Sequence, residues 1–324
     1  MPDILTLTMN PALDVSTQID HVEPTHKMRC APAQQHPGGG GINVARVVHR
    51  LGGSVLAVFP SGGHCGQRLQ ELVAKEEVPY RPFPIAQETR ESFSVHENSS
   101  GREFRFVLPG PTLSATETTQ CMDALYSLGA PGATWVASGS LPLGVGEDFY
   151  ANLAREARVR GRLLILDTSG PPLRAALKEG VYMVKPSLRE MRELTGHALE
   201  TEAQQLQSAR QLVTAGLARI VALSLGEAGA IVVTRDHALR ARSLPVPAKS
   251  TIGAGDSFVG GFVWALDRAI ASAELSAPSL QKALRYGIAA SAAALRSYGT
   301  ALCVAADVHL LAADVQITAV QPKL

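Results

Sequence analysis

Six short apolar runs, at 54–59, 134–137, 163–167, 181–185, 220–224 and 230–234, each polar only at one end, restrict the architecture more than any other feature of the chain. A strand that is apolar at every position has no face to offer water, so such strands lie in a mainly parallel sheet covered by helices on both sides. The intervening segments fit this layout, with apolar positions recurring at helical spacing over 66–76, 147–160, 187–196, 202–216, 255–271 and 279–297. A first strand over 4–9 stops at Asn10-Pro11, and Asp14 follows directly at its carboxyl end. The expected fold is α/β, in three layers (α/β/α). No linker, repeat or low-complexity tract interrupts the 324 residues, so a single domain over 1–324 is expected.

The carboxyl ends of parallel strands lie along one edge, where open α/β sheets place their ligands. Polar groups gather there in sequence: Asp14, Ser138-Gly139-Ser140, Asp167, Lys185 with Glu190, and the turn from Ser224 to Gly229.

Two glycine-rich turns open helices. In Gly253-Ala254-Gly255-Asp256 the small residues precede a helical pattern, so unpaired amides and the helix dipole can hold an anion there. Asp256 at such a site reads in two ways, as the base that takes a proton from an attacking hydroxyl or as a cap of the helix. In Gly38-Gly39-Gly40-Gly41-Ile42-Asn43 four glycines lead into a helix ended by Gly52-Gly53. Ordering four glycines costs entropy, which favours close approach of backbone to a ligand over a flexible connector.

Residues 15–36 and 88–108 are polar with period two, and Asn98 to Gly101 reads as a hairpin turn between 92–96 and 102–107. These segments are read as strands of a small sheet, either a lid standing off the main body or a solvated edge of the main sheet. Lys27, Arg29, Arg90, Arg102 and Arg105 give them a basic cast.

Composition removes several function classes. Lys plus Arg number 30 against 29 acidic residues, so no overall field favours nucleic acid or an anionic membrane. The four cysteines lie far apart with no C-x-x-C pair, which speaks against a zinc site or a disulfide framework and for a reducing cytoplasm. No apolar run approaches membrane-spanning length, and the N-terminus lacks the basic start of a signal peptide. Neither the P-loop, G-x-G-x-x-G, H-E-x-x-H nor G-x-S-x-G is present.

Pro37 to Arg46 and Ser250 to Asp256 resemble the two signatures of the ribokinase-like (PfkB) carbohydrate kinases, and the likeness runs from the first strand to about Cys303. Within that family, Asn10 to Asp14, the unbroken glycine quartet, Phe104 to Gly110, Ser138 to Pro142 and Lys185-Pro186 are most similar to the minor bacterial 6-phosphofructokinases. Kinases of fructose 1-phosphate and tagatose 6-phosphate usually carry Lys where this chain has Gly40.

The resemblance implies a ribokinase-like fold with a β-sheet lid, and transfer of phosphoryl from ATP to the 1-hydroxyl of fructose 6-phosphate. It implies Asp256 as the base, with the amides of Gly253, Ala254 and Gly255 around the transferring group. Asp14, Gly39, Gly40, Asn43 and Gly139 would hold the sugar, and Lys27, Arg29, Arg90 and Arg105 its phosphate. Lys185, Ser187, Ser224, Gly226 and Gly229 would line the ATP site, Glu190 would orient Mg²⁺ through water, and Ser250 and Ile252 would belong to a K⁺ site. Exposed lid strands leave edges to cover, so a homodimer through the lid is expected. The alternatives are a tagatose-6-phosphate kinase or 1-phosphofructokinase, and, from another class, a sugar-phosphate sensor without turnover. Two departures from the family pattern stand out: Ser187-Leu188-Arg189-Glu190 where Asn-x-x-Glu is common, and Ala301 where a relative often has Arg.

Overall fold

The computed structural model describes residues 2–130, 132–270 and 275–320. Ten strands form the main sheet: β1 (Ile4–Leu7), β4 (Val55–Ser61), β5 (Tyr80–Pro84), β8 (Thr134–Ser138), β9 (Leu163–Asp167), β10 (Val181–Val184), β11 (Ala218–Ser224), β12 (Ala230–Val233), β13 (Ala238–Ala241) and β14 (Ile317–Ala319). Their order is β14-β13-β12-β11-β10-β9-β8-β1-β4-β5. The seven strands from β11 to β5 are mutually parallel, whereas β12, β13 and β14 run antiparallel.

Alternate residues of each strand feed two separate cores, which is why the apolar runs have no polar phase. Ile4, Val136, Ile165 and Met183 pack beneath α1 (Gly40–Arg50), α2 (Gly63–Lys75), α8 (Ala254–Ile270), α9 (Ala277–Leu295) and α10 (Ala305–Ala312). Leu5, Leu7, Trp135, Ala137, Leu164, Leu166 and Val184 face the opposite layer of α3 (Ala115–Ser127), α4 (Phe149–Val159), α5 (Gly170–Glu179), α6 (Leu188–Thr195) and α7 (Glu202–Thr214). The three-layer α/β/α arrangement is thus present.

A second sheet of four strands has the order β3-β2-β6-β7, with β2 (Ala12–Ile19), β3 (Gln34–Gly38), β6 (Arg90–Glu97) and β7 (Glu103–Val107). It is a sheet of its own, so the small polar strands are not an edge of the main one. Its bounds differ from those expected from sequence: residues 20–33 form no strand, and β2 begins at Ala12. Asp14 therefore sits inside a lid strand, paired with His36 and Ser92, rather than in a loop after β1. Four residues, Thr8 to Pro11, carry the backbone from one sheet into the other.

Other departures are local. Helix α2 starts at Gly63, ahead of the expected 66, and the expected end of α8 at residue 271 lies outside the described residues. Strands β5, β13 and β14 and helices α3, α5 and α10 add to the expected elements.

Candidate active site

A cleft of about 290 Å³ opens between the two sheets at the carboxyl ends of the parallel strands. The lid contributes Ala12, Asp14, Arg90, Ser92 and Arg105; the body contributes Gly39, Gly40, Asn43, Ser138, Gly139, Ser140, Asp167, Glu190, Gly253 and Asp256, among others. Register explains the lid face: Ala12 opposes Arg90, Asp14 opposes Ser92 and Ser94 opposes Arg105, so these side chains share the inner surface.

Both glycine turns meet here, each as the N-terminus of a helix. Helix α1 starts at Gly40 and α8 at Ala254, so two positive dipole ends face one cleft. Asp256 is the third residue of α8, inside its first turn, and is therefore not the residue that caps it. Its Oδ2 accepts from Asn43 Nδ2 at 2.8 Å. The amide of Ala254 reaches back to Thr251 O at 3.4 Å.

The glycine quartet has more than one cause. A Cβ on Gly38 would overlap the Asp14 carboxylate, and one on Gly41 would press on Leu7 O and Thr8 Oγ1, so these two are small because the chain packs on itself. Gly39 and Gly40 line the cleft, and a Cβ on Gly40 would run into Ser138 Oγ. Gly139 is shaped by its neighbours, its carbonyl accepting from Tyr150 Oη at 3.0 Å and Thr168 Oγ1 at 2.9 Å.

Charge is concentrated in the cleft. Burial raises the Asp14 carboxyl above its ordinary range, against the pull of Arg105, Arg46 and Arg90. Arg90 donates to Leu108 O at 3.1 Å and Asn10 O at 3.0 Å, which leaves Nε buried and without a partner among the described residues. Such an orphaned donor on a cationic group suits an anionic ligand.

Lys185 Nζ pairs with Asp167 Oδ1 at 3.1 Å, both nearly buried. Burial pushes Asp167 up to about 6, helped by the like charges of Asp256 and Glu190 and opposed by Lys185. Burial works against the charge of Lys185, yet Asp167, Glu190 and Asp256 hold it above the usual lysine value. Ser187 and Glu190 form a capping box on α6: Ser187 Oγ accepts from Glu190 N, and Glu190 Oε2 accepts from Ser187 N at 2.7 Å.

Several expected site residues lie elsewhere. Lys27 and Arg29 are exposed in the segment between β2 and β3 and do not line this cleft. Ser224 bridges to Ser187 beside it, further along the sheet edge, with its amide on Pro186 O. Gly226 and Gly229 follow in a 3₁₀ turn; a Cβ on Gly229 would overlap Ala241 O, whereas Gly226 faces open space. Ser250 is buried and donates to Glu103 Oε1 of the lid at 2.8 Å, while Ile252 lines the cleft.

Sequence reasoning noted Asp167 at a strand end but gave it no role, and it passed over Asn10, Thr168 and Arg46. The signal for Arg46 was present, a charged residue within an apolar helical run. It is wholly buried beneath Asn43.

Residues 7–307 match the model described as pfkB family carbohydrate kinase. The chain is 48% identical over 308 residues to the ATP-dependent 6-phosphofructokinase isozyme 2 of Mycobacterium tuberculosis, covering 95% of this chain and 88% of that one. The solved structure of phosphofructokinase-2 from Escherichia coli in complex with fructose-6-phosphate superposes with a TM-score of 0.89 at 36% identity, over 97% of this chain and 99% of the other. The same E. coli protein has been solved in complex with potassium, with a TM-score of 0.90 at 37% identity and the same coverage.

Proposed function

The chain belongs to the pfkB family of carbohydrate kinases, and from that premise we propose that it transfers the terminal phosphoryl of ATP to the 1-hydroxyl of fructose 6-phosphate. Asp256 carries the proposal: a half-buried carboxylate at a helix N-terminus, held by Asn43, in a cleft that also holds Arg90 and Arg105.

Asp256 takes the proton of the 1-hydroxyl as its oxygen bonds to the terminal phosphorus of ATP and the bond to the leaving ADP oxygen breaks. The amides of the Gly253-Ala254-Gly255 turn and the dipole of α8 lie where negative charge on the transferring group is stabilised. Asp14, Asn43 and the turns at Gly39-Gly40 and Gly139 hold the sugar hydroxyls. Arg90 and Arg105 take the phosphate already on the sugar, which the unpartnered Arg90 Nε supports. Lys185, with Ser187, Ser224, Gly226 and Gly229 along the same edge, serves ATP.

Among the described residues no cluster of three or more His, Cys, Asp or Glu could hold a metal by itself. A Mg²⁺ ion carried on the phosphates, with Glu190 beside it through water, suits this sparse donor set and would neutralise developing charge. A K⁺ ion is proposed near Ser250 and Ile252. We further propose that the chain acts as one domain with a lid, in the cytoplasm, as a homodimer through the lid. Lys27 and Arg29 stand outside the cleft of their own subunit, and lid pairing is what could bring them to a phosphate. No described helix is long and apolar enough to cross a membrane.

Release of ADP measured with fructose 6-phosphate, tagatose 6-phosphate and fructose 1-phosphate tests the assignment. Fructose 6-phosphate is expected to give the highest kcat/KM, and a tenfold preference for either other sugar overturns it. Asp256→Asn should lower kcat by about 10³-fold while both substrates still bind. Turnover at the wild-type rate would remove Asp256 from the mechanism.

A further inference from the structure

Among the described residues, Arg46 is the largest charged side chain wholly removed from solvent, and the cleft residues do not include it. Its Nε and Nη2 donate to the two oxygens of Glu76, at the end of α2, at 2.9 and 2.6 Å. Its Nη1 donates to Asn43 Oδ1 at 3.0 Å, Pro37 O at 3.1 Å and Thr300 O at 2.8 Å. Burying a guanidinium is costly unless every donor finds an acceptor, and replacing such a pair by apolar groups is often neutral for stability. Stability alone therefore does not account for a charged group behind a reactive cleft.

The chemistry of the three groups in line does account for it. A guanidinium can only donate and a carboxylate can only accept, so an amide placed between them has one allowed orientation. Arg46 takes Asn43 Oδ1, which turns Asn43 Nδ2 onto Asp256 Oδ2 at 2.8 Å. Without Arg46 the amide could rotate or flip, and the carboxylate would lose the donor that fixes its position over the anion-binding turn.

Resting on the kinase reading above, we infer that Arg46, anchored by Glu76, is a positioning residue for Asp256 and acts through the amide of Asn43. It touches neither substrate nor the reacting atoms. Arg50 makes a useful contrast, because it shares Glu76 at 2.7 Å and holds Ala301 O and Cys303 O but does not touch Asn43.

The test is a double-mutant cycle on the full-length protein, with kcat and KM measured for ATP and the preferred sugar phosphate. Misplacing a reacting group by an ångström costs up to about 10²-fold, so Arg46→Lys should lower kcat by about 10- to 100-fold. KM for ATP should move less than about threefold. In an Asn43→Ala background the same change should cost less than about threefold, since its route to Asp256 is already cut. Arg50→Lys, by contrast, should cost the same factor in both backgrounds. Should Arg46→Lys fail to fold, Glu76→Gln keeps the shape of the anchor and is expected to repeat the coupled pattern with a loss of about 3- to 10-fold. Equal losses for Arg46→Lys, or for Glu76→Gln in its place, with and without Asn43 would overturn the inference while leaving the kinase assignment standing. A wild-type protein with no kinase activity on any of the three sugar phosphates would instead overturn the assignment, and the inference with it.

Discussion

The carboxylate of Asp167, at the end of β9, and the ammonium of Lys185, just after β10, meet across adjacent strands at 3.1 Å. Burial is the larger influence on Asp167 and holds it near 6, so the carboxylate is ionised only above about that pH. Below it Lys185 keeps its charge but loses the counter-charge of Asp167, and with it the contact that would fix the ammonium for the proposed role toward ATP. The rate should accordingly fall as pH drops through about 6. Asp167→Asn removes the titrating group, so the activity that remains should no longer show this limb in a kcat profile between pH 5 and 8. A limb that persists unchanged in the variant would assign it to another residue. Neither Asp167 nor Arg46 could be given a role from sequence, because each owes its surroundings to residues far along the chain. The glycine turns and Asp256 were legible because helix initiation, small residues and an acid occur within a few positions of one another.

Among the elements, those that were readable were buried on both faces or strongly periodic. Strand β5 was missed because Pro82 and Pro84 argue against a strand, yet it is the last strand of the sheet, where a missing amide costs little. Helix α5 was missed for a similar reason: Pro171 and Pro172 read as breakers but stand in its first turn, where proline is favoured. Helix α3 carried a legible signal that went unused, the Ser114–Glu117 capping box. The small sheet was seen, but its first strand was placed too late, because Asn10-Pro11 reads as the end of one strand and not as the passage into another.

The outer end of that lid depends on one acid. Glu97, with its side chain fully enclosed, accepts from Val22 N at 2.7 Å, from Arg102 Nη2 at 3.0 Å and from Ser100 Oγ. The Ser100 bond first, then the Val22 amide and Arg102, hold its carboxyl down to about 2. A depressed carboxylate contributes stability that is present above its ordinary value of 4.5 and is lost as pH falls through about 2. Lid amides such as Val22 and Gly101 should therefore lose exchange protection across that window. At neutral pH Glu97→Gln should exchange them about tenfold faster, with the main sheet unaffected. Equal protection in variant and wild type would show that the tie does not hold the lid.

At the scale of the whole molecule, the lid's inner and outer faces differ in chemistry. The inner face carries Asp14, Ser92, Ser94 and Arg105, whereas Phe93 and Phe106 stand on the outer face with ring centroids 6.5 Å apart. Phe106 is 56% exposed and Phe93 38%, on a four-stranded sheet whose edge strands β3 and β7 are each five residues long. Adjacent exposed aromatics beside an open edge invite pairing with a like surface, and a second copy of the lid supplies both the apolar face and the edge. Such an interface is self-complementary, so one substitution acts twice. Phe106→Asp places two carboxylates in it and should weaken association by at least about tenfold, moving the sedimentation profile at micromolar protein toward the monomer. The cleft contains Asp256, Asn43, Arg90 and Arg105 from a single chain. If Lys27 and Arg29 reach a phosphate only across paired lids, the variant should also raise KM for the sugar phosphate while leaving KM for ATP within about twofold. A wild-type chain that sediments as a monomer at assay concentration would leave the exposed phenylalanines without this role.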